Sequence, residues 1–186
     1  MIISKDKYWK SVRKEEQSKN LFLIYLDEVC LKSDKGHKLK LSEQLANEVV
    51  REWSADGKLS AIKKSFFTKF CFSATDITKK EREAVFCRLV EYCNCDPICY
   101  IASEPTKLHL KQENLYSPLI EWAEKFFSIK LNIGTGLLFI EQPPINAKII
   151  KKYLKELDNF HLTAIHELTK SLGSVSYTHL RAHETG

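Results

Sequence analysis

The stretch LANEVVREWSADG, residues 45–57, decides the fold, because the chain changes there from strand patterns to helix patterns. Ser42 is a residue type that caps helices, and Gly57 is one that ends them. Between them an apolar stripe recurs at helical spacing, formed by Leu45, Val49, Val50 and Trp53. The sequence therefore predicts a helix over residues 42–56 with this stripe in the core.

Strand patterns precede this helix. Runs rich in β-forming residues cover 8–12, 21–26 and 29–31, and Ser33-Asp34-Lys35-Gly36 predicts a turn. Leu39 and Leu41 alternate with lysines and predict a last strand over 37–41. We expect an antiparallel meander.

Helix patterns follow it, at 66–72, 79–92, after Pro105, after Pro144, and again where Asn159 is expected to cap a helix. Ser117-Pro118 predicts an interruption of the helix that Pro105 opens, and short strands are expected at 98–101 and 129–133. This order predicts an α+β protein, with a β-rich N-terminal domain at 1–76 and a mainly helical domain at 77–174.

The last stretch, VSYTHLRAHETG at 175–186, has no apolar period and resembles a translated sequencing-adapter tail. We expect it to be non-native and the helical domain to be incomplete at its C-terminal end.

Composition is that of a soluble globular protein. Of the 186 residues, 44% are apolar, which excludes a disordered chain, and no apolar run approaches the ~20 residues of a membrane span. The net charge of +5 comes from 24 lysines and only five arginines against 24 acids. Arginine is the residue that forks onto phosphate and guanine, so a solvated basic face is the simpler interpretation. A small basic RNA-binding module is the alternative.

No enzyme or metal constellation emerges from the sequence. Cys87, Cys93, Cys95 and Cys99 lack the paired C-x2-C knuckles of a zinc site and are expected to be small buried apolar residues. His166-Glu167 begins like a zincin motif, but Lys170 stands where the second histidine would be required. We expect no catalytic residue, no metal, no cofactor and no small-molecule substrate.

Several short blocks of sequence, taken together, resemble a known family. The blocks are Tyr8-Trp9-Lys10, a strand ending at Leu26-Asp27, Leu39-Lys40-Leu41-Ser42, LANEVVREWSADG at 45–57, DPICY at 96–100, PLIEWAEKFF at 118–127, Gln142-Pro143-Pro144 and IHELTKSLGS at 165–174. Their order and spacing resemble the assembly-chaperone family for the α subunit of the F-type ATP synthase catalytic head. The resemblance implies a chaperone that binds the free α subunit, shields its subunit interface and promotes assembly, with no nucleic acid and no membrane insertion.

The resemblance also implies candidate contact residues. They match the family's motifs at Glu52, Trp53, Asp96, Tyr100, Glu121 and Trp122. Trp53 and Trp122 are also expected to pack in the core, Asp96 is also a turn or cap candidate, and Glu52 is expected to be exposed. Glu28 stands where the family usually has glycine, so a turn other than type I′ is expected after Asp27.

The compartment follows from where the resemblance begins. Tyr8-Trp9 leaves little room for a transit peptide, so a bacterial cytoplasmic protein is expected, or a mitochondrial matrix protein if a transit peptide has been lost.

Overall fold

A computed structural model describes residues 9–55, 62, 65–103, 107–136 and 138–175. It confirms the α+β class, with antiparallel strands first and helices after them. The chain divides into two compact units between Thr78 and Lys79. No helix in the described part of the chain is both long enough and apolar enough to cross a bilayer.

The first unit begins with a three-stranded antiparallel sheet in the order β1-β2-β3. The strands are β1 (Val12–Ser18), β2 (Leu21–Leu26) and β3 (Val29–Cys30). β2 begins and ends where the sequence predicts, and its apolar residues form the buried middle of the sheet. Of the predicted strand at 8–12, residue 8 lies outside the described residues and only Val12 is in a strand, because the charged run that follows it pairs with β2 as an edge strand.

The turn between β2 and β3 depends on Asp27. Only Asp27 of the Asp27-Glu28 pair has a positive φ, at 51°, so the turn is not type I′, as expected. The Asp27 carboxylate accepts hydrogen bonds from the backbone amides of Lys10 and Ser11, which lower the pKa of Asp27. The expected strand at 37–41 is reduced to isolated bridges, Lys32 with Lys38 and Phe22 with Leu41.

Two helices complete the described part of this unit. They are α1 (Glu43–Ser54) and α2 (Phe66–Asp76), and α1 packs against both α2 and the sheet. Ala46, Val49 and Trp53 form the buried stripe of α1, so the predicted stripe is right at Val49 and Trp53 but half-buried at Leu45 and Val50.

The second unit is mainly helical. Its helices are α3 (Lys79–Asn94), α4 (Lys107–Phe127), α5 (Pro144–Glu156) and α6 (Asn159–Leu172), and α3 packs against α5 and α6. A 3-10 turn (Pro97–Cys99) leads into β4 (Tyr100–Ile101), which pairs in parallel with β5 (Gly134–Thr135).

Three predictions in this unit are corrected. α4 continues through Pro118, because its C-terminal half buries Ile120, Ala123 and Phe127 and this packing holds the helix together despite the missing amide donor. Residues 129–133 form no strand, since side chains bond their backbone instead: Glu124 accepts from Leu131 N, and Asn146 donates to Lys130 O. Asp158, not Asn159, caps α6.

Val175 is packed within the fold, although the sequence pattern predicts a non-native tail from this residue onward. It is 2% exposed and its amide donates to Asp96 Oδ2 at 3.1 Å. The predicted helix stop at Gly57, the predicted helix start at Pro105 and the rest of the predicted tail, 176–186, lie outside the described residues.

Candidate partner-binding surface

Trp53 is a core residue that ties α1 to two other segments. It is 1% exposed, and its indole Nε1 donates to Thr68 Oγ1 at 3.0 Å. Its carbonyl accepts from Trp9 Nε1 at 3.1 Å, and the two indole centroids lie 5.0 Å apart. The expected core role of Trp53 is confirmed, and its side chain faces no solvent.

Glu52 caps the next helix. Its carboxylate accepts hydrogen bonds from Phe67 N at 2.8 Å, Thr68 N at 2.7 Å and Thr68 Oγ1 at 2.6 Å. These amides belong to the first turn of α2, where they have no partner within the helix, and a negative charge is favourable at that end. The prediction that Glu52 is exposed is wrong: it is half-buried and fixes the start of α2.

Asp96 is buried and satisfies two backbone amides from distant parts of the chain. Oδ1 accepts from Ile98 N at 3.3 Å at the start of the 3-10 turn, and Oδ2 accepts from Val175 N beyond the end of α6. The alternative interpretation of Asp96 as a cap residue is therefore confirmed.

The other three candidates have part of their surface in solvent. Tyr100, in β4, is half-buried, and its hydroxyl accepts from Ile140 N at 3.4 Å. Glu121 is exposed on α4. Trp122, beside it, is half-buried and stacks on Phe126 with centroids 4.9 Å apart. Glu52 and Trp53 thus meet at Thr68, while the other four candidates lie in the second unit.

The four cysteines at 87–99 differ in burial. Cys93 and Cys99 are buried, and burial raises the pKa of the Cys99 thiol to about 12. Cys87 and Cys95 are exposed, so the prediction that they are buried is wrong. Among the described residues no three histidine, cysteine or acidic side chains come together in a way that could hold a metal ion.

A loop that the sequence analysis did not single out has the clearest binding geometry. Asn132 N donates to Gln142 Oε1 at 3.0 Å, and Gln142 Nε2 donates back to Asn132 O at 2.9 Å. Asn132 Nδ2 also donates to Glu141 O, and Gln142 is buried. These bonds close the neck of the 132–142 loop, a compact arrangement that is often functional.

The tip of this loop carries apolar side chains into solvent. Leu138 is 81% exposed and Phe139 is 74% exposed. The backbone on either side of the tip is held, because Gly136 N donates to Ile101 O at 2.8 Å and Ile140 N donates to Tyr100 Oη. Among the described residues of this loop, the apolar side chains of Leu138 and Phe139 are therefore exposed, and backbone hydrogen bonds hold the chain at positions 132, 136 and 140.

Helix α4 adds further exposed apolar residues close to the same end of β4. Gln112 Oε1 accepts from Ala102 N at 2.8 Å, and His109 Nδ1 contacts Ala102 O at 2.7 Å. Leu108 and Leu115 lie on the helix face that contains Gln112, four residues before it and three after, and both are exposed. We call Leu108, Leu115, Leu138 and Phe139 the α4–loop surface.

The start of the loop is fixed electrostatically. Glu124 accepts from Leu131 N at 2.9 Å and from Lys130 Nζ at 2.9 Å. Burial raises the pKa of Glu124, but these hydrogen bonds outweigh it and leave the pKa below its usual range. The sequence carries one signal of this site, the apolar run after Gly134 and Gly136, which a periodicity search passes over because it is too short for a helix face.

An apolar surface on a fixed frame is typical of proteins that act by binding other proteins. The class of protein that the fold and this surface define is thus a protein-binding protein with an α+β fold.

Comparison with known proteins gives the family. The family model described as ATP12 chaperone protein matches residues 6–124, more than half of the chain, and the chain therefore belongs to the ATP12 chaperone family. Members of this family are chaperones and not enzymes.

Solved structures agree with this assignment. The crystal structure of Atp12 from Paracoccus denitrificans is 28% identical, with a TM-score of 0.81, covering 93% of this chain and 74% of that chain. The D202K mutant of the P. denitrificans protein gives the same values. The Atu1473 protein from Agrobacterium tumefaciens, at 22% identity and a TM-score of 0.79 over 97% of this chain and 68% of that chain, shares the fold.

Proposed function

We propose that this protein binds the free α subunit of the ATP synthase, shields the surface by which α later contacts its neighbouring subunit, and thereby promotes assembly of the catalytic head. Membership of the ATP12 family supports a role as an assembly chaperone of the ATP synthase. That its client is the α subunit is our proposal.

The observation that carries this proposal is the exposed apolar tip of the 132–142 loop. A free subunit interface is an apolar patch that aggregates in water, and the surface that covers it has to be apolar as well. Leu138 and Phe139 meet that requirement, and the closed neck between Asn132 and Gln142 holds them in place before the client arrives. A pre-ordered loop loses less conformational entropy on binding.

The α4–loop surface is also suited to release. A chaperone has to give way to the proper neighbour of its client, so a few apolar anchors suit it better than an extensive interface. Tyr100, Glu121 and Trp122 are partly accessible and are proposed as further contacts in this unit. We propose that Glu52, Trp53 and Asp96 support binding by holding the fold, because hydrogen bonds within the chain engage their polar groups.

Co-expression with the ATP synthase α subunit tests the proposal. The double variant Leu138→Ser/Phe139→Ser should lower the yield of soluble α subunit and abolish co-elution on gel filtration. Phe66→Ser is the matched control, because Phe66 is as exposed as Phe139, at 73%, but lies in the other unit. The β subunit serves as the second client.

Two results would count against the proposal. If the wild-type protein rescues the β subunit as well as the α subunit, it is not specific for α. If Phe66→Ser abolishes co-elution and the loop variant does not, the α4–loop surface is not the binding surface. Circular dichroism of each variant separates loss of binding from loss of folding.

A further inference from the structure

A row of lysines runs along the outer face of α5. Lys148, Lys152 and Lys155 are all exposed, at spacings of four and three residues that place them on one side of the helix. None of the three has an ion-pair partner among the described residues. Lys151, on the edge of this face, differs, since its Nζ lies 3.8 Å from Glu83 on α3.

An apolar row lies directly beside the lysines. Ile145, Ile149 and Tyr153 follow one another at intervals of four residues, and Ile145 is 56% exposed. Phe126 of α4 extends this row, because its ring centroid lies 5.5 Å from that of Tyr153 and the residue is 38% exposed. The two rows together, which we call the α5 face, consist of Ile145, Lys148, Ile149, Lys152, Tyr153, Lys155 and Phe126.

We propose that the α5 face binds an acidic amphipathic helix of a partner protein. A helix that presents apolar side chains at intervals of three and four residues packs onto the row from Ile145 to Phe126. Acidic side chains on its adjoining face then meet Lys148, Lys152 and Lys155, which form no ion pair among the described residues although the exposed Glu156 follows Lys152 by four residues. This inference names no client and does not use the α4–loop surface, although Phe126 of the α5 face stacks on Trp122, one of the further contacts proposed for the α subunit.

The apolar row favours a protein helix over nucleic acid. A polyanion would use only the lysines, and aliphatic side chains such as Ile145 and Ile149 offer a base nothing to stack on. The row contains no arginine, the residue that most often forks onto phosphate and guanine. An acidic amphipathic segment matches both the charge and the apolar surface of the α5 face.

Fluorescence anisotropy with the full chain tests the inference. The probe is a labelled designed helix that carries a row of leucines beside a row of glutamates, and its twin has glutamine in place of every glutamate. The acidic probe should bind about tenfold more tightly than the neutral twin, since three exposed charge pairs each contribute a modest amount. The variant Lys148→Glu/Lys152→Glu/Lys155→Glu should remove this preference. Ile145→Ser should weaken the binding of both probes.

The control variant is Lys32→Glu/Lys38→Glu/Lys40→Glu, which makes the same change of net charge at exposed positions of the first unit. It should keep the preference for the acidic probe. Equal binding of the two probes to the wild-type protein, or equal loss in both triple variants, would overturn the inference. Tighter binding of labelled poly(U) that is lost in the α5 variant and unaffected by Ile145→Ser would overturn it too, in favour of a nucleic-acid surface.

Discussion

In two regions of the molecule, side-chain hydrogen bonds to the backbone fix the chain, but with opposite results for the aromatic side chains nearby. Around Thr68 in the first unit, Glu52 bonds backbone amides and Trp53 fills the core. At the 132–142 loop in the second unit, Asn132 and Gln142 also bond backbone groups, yet the side chains that they frame, Leu138 and Phe139, remain in solvent. Side-chain hydrogen bonds to the backbone fix the chain in both places, but only the first region encloses the aromatic group that it fixes.

This difference separates stability from binding. Apolar surface buried within the chain stabilises the fold, whereas apolar surface held in water becomes favourable only when a partner covers it. Changes around Thr68 should therefore affect unfolding, and changes at the loop tip should affect client capture.

The largest expected effect comes from Trp53→Ala. It removes a fully buried indole, its tilted ring contact with Trp9 and its hydrogen bond to Thr68, and should lower the free energy of unfolding by about 3–5 kcal/mol. Urea unfolding followed by circular dichroism measures this. Phe66→Ala, which truncates a mostly exposed ring, should change the same quantity by less than about 0.5 kcal/mol. Similar losses in the two variants would remove the contrast between enclosed and exposed aromatics.

A smaller effect is expected at Glu52. Glu52→Ala leaves the first amides of α2 without their acceptor and should cost about 1–3 kcal/mol of unfolding free energy. Glu52→Gln keeps an acceptor oxygen and loses only the charge, so it should cost less. Thermal and urea unfolding of the two variants measure these costs. If Glu52→Ala leaves the free energy of unfolding unchanged but abolishes capture of the α subunit, Glu52 is a contact residue instead.

The smallest effect concerns His166 on α6. Burial lowers the pKa of His166 below its ordinary value of 6.5; Glu167 opposes this shift, and the positive charges of Lys170 and Arg88 add to it. The unfolded chain therefore takes up this proton more readily than the folded one, and stability that is complete above pH 6.5 falls as the pH drops below it.

Replacing this histidine removes the titrating group. When the pH is lowered from above to below 6.5, the unfolding free energy of His166→Gln should therefore fall less than that of the wild-type protein. Urea unfolding at the two pH values measures this. If the variant and the wild-type protein have the same pH dependence, His166 does not contribute to the pH dependence of stability.

The sequence predicts those elements whose own residues determine them. β2 is a run of six apolar residues, and its bounds are right; α1 and α5 have clear apolar stripes and are found where expected. β1 was missed because its charged sequence becomes a strand only through its pairing with β2. The helix break at Pro118 was wrong because packing of Ile120 and Ala123 outweighs a local signal.

The candidate site was harder to predict because it depends on contacts between distant parts of the chain. Periodicity places Glu52 on an open helix face, but the exposed amides of α2 that it caps come from a helix whose position no local pattern reveals. The 132–142 loop depends on bonds between residues ten positions apart. The family resemblance includes Gln142-Pro143-Pro144, but no local pattern pairs Gln142 with Asn132.

Site-specific photo-crosslinking tests the central claim most directly. A benzophenone amino acid is placed either at Phe139, on the loop tip, or at Phe66, which is equally exposed in the first unit, and each protein is irradiated with the ATP synthase α subunit. We expect a crosslink to the α subunit from position 139 and none from position 66. A crosslink from position 66 alone would contradict it, and would move the client-binding surface to the unit that contains Trp53.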